Sequence, residues 1–447
     1  MNNLYIVSEE QHSITTLNNI KLFLDMNNID YSFDNLSMSS FKIHSHKTIC
    51  MKVEGIVSQQ VENFYWLLAR KNGNGFADCL IYLSEDFPKE DDKPNHVFEN
   101  TKNDGKDSGN MLEQRAEKGI PVFEKWGSDV PYTFLISNRN DIDKTVKSFK
   151  QTHNCSFATI KALGDNVTIA ITKDNEIGYQ LYDSPIDYDS IESIVKNENL
   201  KKKRRGVPSR VSLNSDKVFI SVNLWKKSGE NDPGLGYMTS RAYLVRRLNP
   251  QVEIVIHNHQ RPKSYFDQTK DNKWVNILKT VGATITFEDG EVIKFDQSKH
   301  DYKTYWKYCN TGEKISSIYL EQILREKGWD IIFTNHAGCG KSFVEINGQS
   351  FNSEKTKGIP DLVAFNGTNL IVIEAEKSEN AKKGLIQMND PNFDKFIEKN
   401  ILIHLPKGVT YKKFLCTYGK KTEEKELLFN VNENLETYFN EEIITNL

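Results

Sequence analysis

The sequence predicts an α/β protein with two or three domains, and three observations support this. At 447 residues, with 38% hydrophobic and 27% charged side chains, the chain has ordinary globular composition and enough length for more than one core. Short apolar runs rich in β-branched residues, such as 167–171 and 370–373, alternate with helical patterns. Between residues 207 and 300 the order strand, helix, strand is typical of a βαβ unit. No internal repeat is visible in the sequence.

The first 200 residues are expected to form an N-terminal α/β region that serves DNA recognition or sensing. A polar segment at 86–118, poor in apolar side chains, is predicted to be a long loop or insertion. The regular elements expected around it are strands at 4–7, 133–136 and 167–171 and helices at 20–26 and 57–69.

Residues 201–300 are interpreted as a basic junction followed by the βαβ unit, with strands at 218–224 and 253–257 and a helix at 237–248. Five consecutive cations open this region, and they either contact DNA phosphates or form a solvated linker. Three polar side chains near the end of the second strand are predicted to lie in an exposed loop and to contact base edges. These candidate DNA-binding residues are Lys201, Lys202, Lys203, Arg204 and Arg205 in the run, and Asn258, Gln260 and Arg261 in the loop.

The strongest chemical pattern lies near the carboxyl end of the chain. Asp361 follows Gly-Ile-Pro, and Glu374 and Glu376 follow the apolar run 370–373, with an Asn-Gly-Thr turn at 366–368 between them. Side chains alternate across a strand, so the two glutamates share a face, and a hairpin brings Asp361 beside them. Three converging carboxylates repel one another unless a hard divalent cation compensates them, which predicts Mg²⁺ as cofactor.

This segment resembles the PD-(D/E)XK nuclease superfamily, to which most type II restriction endonucleases belong. The resemblance implies that Asp361 and Glu374 hold Mg²⁺ and that Glu376 completes the catalytic set. It covers roughly residues 300–420 and implies an αβββαβ core with a mixed sheet within a nuclease domain at 301–447. The elements that fit this core are helices at 313–327 and 381–388 and strands at 329–334, 343–346 and 414–418, besides the two strands of the motif.

The pattern departs from the family at the position that usually holds Lys, because Glu376 stands there and Lys377 follows. In one interpretation both glutamates face the metal and Lys377 points away. In the other, a bulge at Ala375 shifts the strand and turns Lys377 inward. Simple alternation favours the first.

The resemblance also implies an upstream glutamate in many members of the family. Glu313, Glu321 and Glu326 all lie on the predicted helix, and helical spacing does not choose among them.

The function expected from the resemblance is Mg²⁺-dependent, site-specific cleavage of double-stranded DNA by a type II restriction endonuclease, in a restriction or antiviral defence system. The alternative is an antiphage nuclease effector regulated by a nucleotide signal through an N-terminal sensor. One active site per chain and cleavage of both strands suggest a homodimer, by analogy with symmetric DNA.

Composition agrees with a cytoplasmic enzyme that has no membrane partner. No apolar run approaches the length of a membrane span, and the first residues lack a signal-peptide pattern. The six cysteines are scattered, which favours free thiols in a reducing compartment. The net charge of −3 requires that DNA contact come from a local basic surface.

Overall fold

The described part of the chain in the computed structural model contains both strands and helices in each region. The residues it describes are 2–8, 14–33, 41–45, 50–71, 77–103, 112, 115–152, 154–182, 216–222, 232–258, 263–270, 272–287, 289–300, 306–308, 312–335, 343–347, 349–352 and 358–445. The strands are β1 Asn2–Ser8, β2 Ser32–Phe33, β3 Phe41–Ser45, β4 Cys50–Val53, β5 Ile56–Val57, β6 Val61–Lys71, β7 Cys79–Ser84, β8 His96–Asn103, β9 Tyr132–Asn138, β10 Val167–Lys173, β11 Gln180–Leu181, β12 Lys217–Val222, β13 Glu253–Asn258, β14 Ala283–Phe287, β15 Val292–Lys294, β16 Trp306–Tyr308, β17 Asp330–Thr334, β18 Phe343–Ile346, β19 Gln349–Asn352, β20 Leu362–Phe365, β21 Asn369–Lys377, β22 Thr410–Tyr418, β23 Leu427–Val431 and β24 Thr437–Phe439. The helices are α1 Ile14–Met26, α2 Gly119–Trp126, α3 Ile142–Thr152, α4 Asn154–Ala162, α5 Asp232–Leu248, α6 Lys273–Val281, α7 Gly312–Glu326, α8 Ala381–Met388, α9 Pro391–Asn400 and α10 Glu441–Thr445.

The chain divides into two units, and both combine sheets with helices, which confirms the α/β class. The first unit contains Met1–Tyr31, Gln59–Glu62 and Lys71–Lys307, and the second contains Ser32–Ser58, Asn63–Arg70 and Tyr308–Leu447. The bounds of these two units differ from those of the three regions that the sequence predicts. Regions 1–200 and 201–300 fall largely in one unit, and the second unit draws part of its chain from the N-terminal region.

The first unit contains six consecutive strands of a ten-stranded mixed sheet, in the order β11-β10-β9-β8-β7-β1. Strands β8, β9 and β10 are parallel neighbours, whereas β1 and β7, β7 and β8, and β10 and β11 pair antiparallel. Helix α2 lies between β8 and β9 in the chain, and α3 and α4 lie between β9 and β10, as parallel crossovers require. The predicted strands at 4–7, 133–136 and 167–171 correspond to β1, β9 and β10, and the helix at 20–26 lies within α1.

A second sheet of the first unit confirms the βαβ prediction. Strands β12, β13 and β14 are parallel and β15 closes the sheet antiparallel, in the order β12-β13-β14-β15. Helix α5 joins the first two strands and α6 precedes the third. Of the predicted strand at 218–224, residues 223 and 224 lie outside the described part of the chain.

Two local predictions are wrong. The segment 57–69, expected to be helical, contributes β6, whose Phe64 and Leu67 pair with Val53 and Cys50 of β4. The apolar residues of this segment fit the helical period as well as the alternation of a strand. Pairing with β4 stabilises the strand. The segment 86–118, expected to be a loop, contains β8, with Val97 and Phe98 fully buried. The sequence did not indicate this strand because several of its side chains are polar. One of them, Glu99, is nevertheless fully buried.

The second unit is built on a six-stranded mixed sheet in the order β17-β20-β21-β22-β23-β24. The pairs β17–β20, β20–β21 and β23–β24 are antiparallel, and β21–β22 and β22–β23 are parallel. Helix α7 precedes the sheet and α8 and α9 form the crossover from β21 to β22. Strands β18 and β19 form a separate hairpin, so the predicted strand at 343–346 exists but lies outside this sheet.

The centre of this sheet is covered on both faces. Leu370, Ile371, Val372 and Ile373 of β21 are all fully buried, although successive side chains point to opposite faces. Leu370 and Val372 belong to an apolar cluster with α8 and α9. Helix α7 ends at Glu326, one residue before the predicted end at 327, and Gly328 follows in the left-handed region at φ +81°.

The start of α7 lies close to β22, and Gly312 leaves room there for a tyrosine ring. A Cβ on Gly312 would overlap Cδ1 of Tyr418, the last residue of β22. We therefore expect Gly312→Ala to lower the free energy of unfolding by about 1–3 kcal/mol, since the ring has to move. Urea unfolding of the variant and of Gly312→Ala in a Tyr418→Ala background measures this. An equal loss in both backgrounds would contradict the contact as the cause.

Candidate acidic site at the end of the central strands

Asp361 stands immediately before β20 and is held beside β21 by two hydrogen bonds. Its backbone N–H donates to the Ile373 carbonyl at 3.0 Å, and its Oδ2 accepts the Ala375 N–H at 2.8 Å. The β20–β21 register pairs Leu362 with Ile373, so the next residues on the two strands, Asp361 and Glu374, are opposite each other. The carboxylate pair predicted from sequence is therefore brought together by the hairpin.

The approach to Asp361 depends on a glycine in the left-handed region. Gly358 has φ +80°, and a Cβ there would lie 2.9 Å from the backbone nitrogen of Phe393 in α9. The segment that carries Asp361 therefore passes directly against the first turn of α9. Asp390 caps that helix by accepting the Asn392 N–H at 2.8 Å.

Glu374 and Glu376 are buried on β21, with 6% and 4% of their surface exposed. The parallel pairing of β21 with β22 is regular through Lys377, with no bulge at Ala375. Alternation therefore places both glutamates on one face, and Lys377 is exposed. This geometry corresponds to the first of the two interpretations of the Glu-x-Glu-Lys segment.

Helix α8 covers the two glutamates. A Cβ on Gly384 would lie 3.0 Å from Cγ of Glu376 and 3.6 Å from Cγ of Glu374, so this glycine permits the helix to approach the acids. The preceding residue, Lys383, places its Nζ 3.3 Å from Oε1 of Glu376. Sequence reasoning missed Lys383, although a lysine-rich helix directly after the acidic strand was a usable signal.

The site carries more negative charge than its surroundings compensate. Burial, together with repulsion from Asp361 and Glu376, raises the pKa of Glu374 to about 9. Burial also raises the pKa of Asp361, to about 7, against the lowering effect of the Ala375 N–H. Burial raises the pKa of Glu376 too, and Lys383 opposes that rise. Among the described residues, Oε2 of Glu374 is buried and accepts no hydrogen bond.

The structure chooses among the three upstream glutamates that helical spacing left open. Glu313, in the first turn of α7, contributes to the raised pKa of Asp361, Glu374 and Glu376 through like-charge repulsion. Glu321 instead pairs with Arg325 at 2.8 Å, and Glu326 accepts a hydrogen bond from Gln322 at 3.1 Å. Glu313 is therefore the helix residue that belongs electrostatically to the acidic site.

The donor set suits a hard cation, but the protein supplies few ligands as the side chains stand. Within the described ranges, no group of three or more His, Cys, Asp or Glu side chains is arranged to hold a metal ion. Mg²⁺ is commonly held by one or two carboxylates with water and substrate phosphates completing its shell. Asp361 and Glu374 provide two carboxylates, and the buried Oε2 of Glu374 is the orphaned polar atom that a cation would satisfy.

Most of the predicted DNA-binding residues lie outside the described part of the chain. These are Lys201, Lys202, Lys203, Arg204, Arg205, Gln260 and Arg261. Asn258 is described, and the prediction that it occupies an exposed loop is wrong, because it is the last residue of β13 and only 4% exposed. The strand runs one residue further than the apolar pattern indicated, and its final side chain points into the protein.

If the acids lack a compensating cation, replacing Glu374 by the neutral Gln should stabilise the metal-free protein at high pH. The folded state holds the Glu374 proton up to about pH 9, whereas an ordinary Glu releases it near 4.5, so wild-type stability falls as the pH rises between these values. We expect the melting temperature of Glu374→Gln to exceed that of wild type by a margin that widens from about pH 5 to about pH 9. Melting curves in chelator measure it.

The exposed Glu423 provides the matched control, and Glu423→Gln should leave the pH profile unchanged. A Glu374→Gln profile parallel to wild type would show that the buried acid carries no such penalty.

Scans of the chain against protein-family models, curated proteins and solved structures found no match. In the described part of the chain, no helix has the length and apolar character needed to cross a membrane. The functional assignment therefore depends on the geometry of the acidic site itself.

Proposed function

We propose that the second unit hydrolyses phosphodiester bonds of double-stranded DNA with Mg²⁺, as a site-specific endodeoxyribonuclease of the type II restriction class. The observation that carries the proposal is the Asp361–Glu374 pair. The two residues lie opposite each other at the ends of neighbouring strands of the sheet. Such a pair is costly unless a cation or bound protons neutralise it. Perturbed acids of this kind occur at functional sites more often than elsewhere.

The order and direction of the elements support the finer fold assignment. Helix α7, the antiparallel strands β17, β20 and β21, the crossover through α8 and α9, and the parallel strand β22 follow one another in the chain. This succession is consistent with the αβββαβ core that the resemblance to PD-(D/E)XK nucleases implies. The hairpin β18–β19 is an insertion between the first two strands.

The chain's residues have separable roles in the proposed reaction. Asp361 and Glu374 would hold the ion, which when bound lowers the pKa of a coordinated water and neutralises charge that develops on the phosphoryl oxygens. Glu376 orients the attacking water, and Lys383 keeps the Glu376 carboxylate in place through its contact at 3.3 Å. Attack in line at phosphorus releases the 3′ oxygen, leaving a 5′-phosphate and a 3′-hydroxyl, as the resemblance implies.

Removing either ligand while keeping its shape should separate catalysis from binding. We expect Asp361→Asn and Glu374→Gln each to reduce cleavage by about 10²-fold or more, because the charge that holds the ion is lost. DNA affinity should stay close to wild type, since neither side chain carries positive charge. Gel assays of plasmid cleavage and filter-binding titrations measure the two properties. Mg²⁺-dependent cleavage retained by both variants would remove the site from the mechanism.

The neighbours Glu376 and Lys377 offer a contrast of position within one strand. Because Glu376 is buried with the acids and Lys377 is exposed, Glu376→Gln should impair cleavage strongly whereas Lys377→Met should change it less than about threefold. Single-turnover cleavage rates measure both. The reverse order would indicate that the strand shifts register when DNA binds.

One incubation distinguishes restriction from signal-dependent defence. Purified full-length protein, Mg²⁺ and unmodified phage DNA should give discrete fragments without any added nucleotide. Cleavage that appears only after a cyclic oligonucleotide is added would favour an effector with a sensor in the first unit. Salt-sensitive DNA binding with no cleavage of any substrate would leave a binding module and refute the proposed hydrolysis.

A further inference from the structure

Six consecutive strands of the ten-stranded sheet have the same succession of directions as the six strands of the second unit's sheet. In the first unit the pairs β1–β7, β7–β8, β8–β9, β9–β10 and β10–β11 run antiparallel, antiparallel, parallel, parallel and antiparallel. In the second unit the pairs β17–β20, β20–β21, β21–β22, β22–β23 and β23–β24 follow the same sequence of directions. A helical crossover connects the third strand to the fourth in both sheets. This shared arrangement is a structural repeat that the sequence does not reveal, although the connection from the fourth to the fifth strand contains α3 and α4 in the first unit and no helix in the second.

The repeat extends to a pair of carboxylates. Asp78 immediately precedes β7, as Asp361 immediately precedes β20. The register pairs Cys79 with Phe98, which makes Asp78 and Glu99 opposite neighbours, just as Asp361 is opposite Glu374.

The hydrogen bonding of the two aspartates also corresponds. Oδ2 of Asp78 accepts the N–H of Asn100, the residue after Glu99, at 2.9 Å. Oδ2 of Asp361 accepts the N–H of Ala375, the residue after Glu374, at 2.8 Å. Matching register and matching hydrogen bonds make the two acid pairs equivalent positions of one fold.

The surroundings of the two pairs differ in charge. In the first unit Lys118 Nζ lies 2.7 Å from Oε1 of Glu99 and 3.5 Å from Oδ1 of Asp78. Arg115 Nη1 lies 3.0 Å from the same Glu99 oxygen and 4.0 Å from Oδ2 of Asp78. Two cations thus stand against two carboxylates, and Glu99 is fully buried among them.

In the described part of the second unit no cation forms an ion pair with Asp361 or Glu374, although the charge of Lys383 lowers the pKa of Glu374 without direct contact. Lys383, from the corresponding crossover helix, contacts Glu376 rather than Asp361 or Glu374 in the ion pairs of the described residues. The residue two positions after Glu99 is Thr101, where the second unit has a third acid, Glu376. Counted as ionised side chains, the two acids and two cations of the first cluster balance, whereas Asp361, Glu374 and Glu376 outnumber Lys383 in the second.

We propose that Asp78 and Glu99 form a second cation site, equivalent to the one in the second unit, in which Lys118 and Arg115 permanently occupy the place of a divalent ion. The Lys118 ammonium bridges both carboxylates, as a shared metal ion would. A divalent ion entering this cluster would have to displace a buried ion pair, whereas at Asp361 and Glu374 it would relieve repulsion. The chain consequently binds a catalytic divalent ion in its second unit and not in its first.

A background without the second-unit site isolates this cluster. In full-length Glu374→Gln we expect no tightly bound Mn²⁺, measured by the loss of the free-ion signal in electron paramagnetic resonance. Adding Lys118→Met should create one Mn²⁺ site and a Mn²⁺-dependent rise in melting temperature. Adding Glu99→Gln to that double variant should abolish both, because one of the two carboxylates is then neutral.

Lys125→Met is the matched control, since Lys125 also belongs to this helical segment but pairs with Asp91 at 2.7 Å. It should create no Mn²⁺ site in the same background. Arg115→Met replaces Lys118→Met if circular dichroism shows that the latter is not folded.

Two results would overturn the proposal. One is Mn²⁺ bound in the Glu374→Gln background and lost with Glu99→Gln, which would make the first-unit cluster a metal site in its own right. The other is a folded Lys118→Met or Arg115→Met variant that gains no Mn²⁺. The inference uses the proposed function only for comparison. If wild type and Glu374→Gln bind equally little Mn²⁺, the proposed nuclease site fails, and the result for Lys118 still stands on its own.

Discussion

Asp361, immediately before β20, and Glu374 of β21 lie opposite each other, and their repulsion is the constraint on which the arrangement of the second unit depends. Like charges in directly opposite positions of a sheet are destabilising, and burial strengthens the effect because water no longer screens them. The Ala375 N–H, which donates to Asp361, and Lys383, which contacts Glu376, offset part of this repulsion. Burial and the repulsion that is not offset raise the pKa of Glu374. Three acids at the end of such a buried strand are destabilising unless they bind a cation or bound protons neutralise them.

The parts of this site that sequence could predict are those fixed by local rules. Strand periodicity places Glu374 and Glu376 on one face, and the turn at 366–368 makes the hairpin that brings Asp361 beside them. Glu313 and Lys383 could not be chosen in this way, since their nearness depends on how α7 and α8 pack on the sheet. Helical spacing could have paired Glu321 with Arg325, four residues further along the helix, but it could not show that Glu313 lies near the acids of the sheet.

The errors in predicting the fold have the same origin. The polar composition of 86–118 predicted a loop, but the segment contains β8. Glu99 of that strand is buried in an ion-pair cluster that no local sequence pattern indicates. Residues 57–69 satisfied a helical period, and pairing with β4 made them a strand instead. The structural repeat was invisible for a related reason. The lysines near the acids lie at different spacings, with Lys118 19 positions after Glu99 and Lys383 9 positions after Glu374, and they contact different acids of their clusters.

The comparison of the two clusters bears on how the proposed enzyme would cut a duplex. On this proposal, the same pair of acids would bind a divalent ion in one sheet and two side-chain cations in the other, and residues on the segment after the acidic strand would determine which. With Lys118 and Arg115 at the first pair, the chain would offer one hydrolytic site to DNA. The two strands of a duplex run in opposite directions, so one site presents the wrong orientation to the second strand. Cleavage of both strands then requires either two copies of the chain related by a twofold axis or two successive encounters with the same duplex. In this way a pair of ion contacts inside the first unit would determine the assembly that the second unit needs for its chemistry.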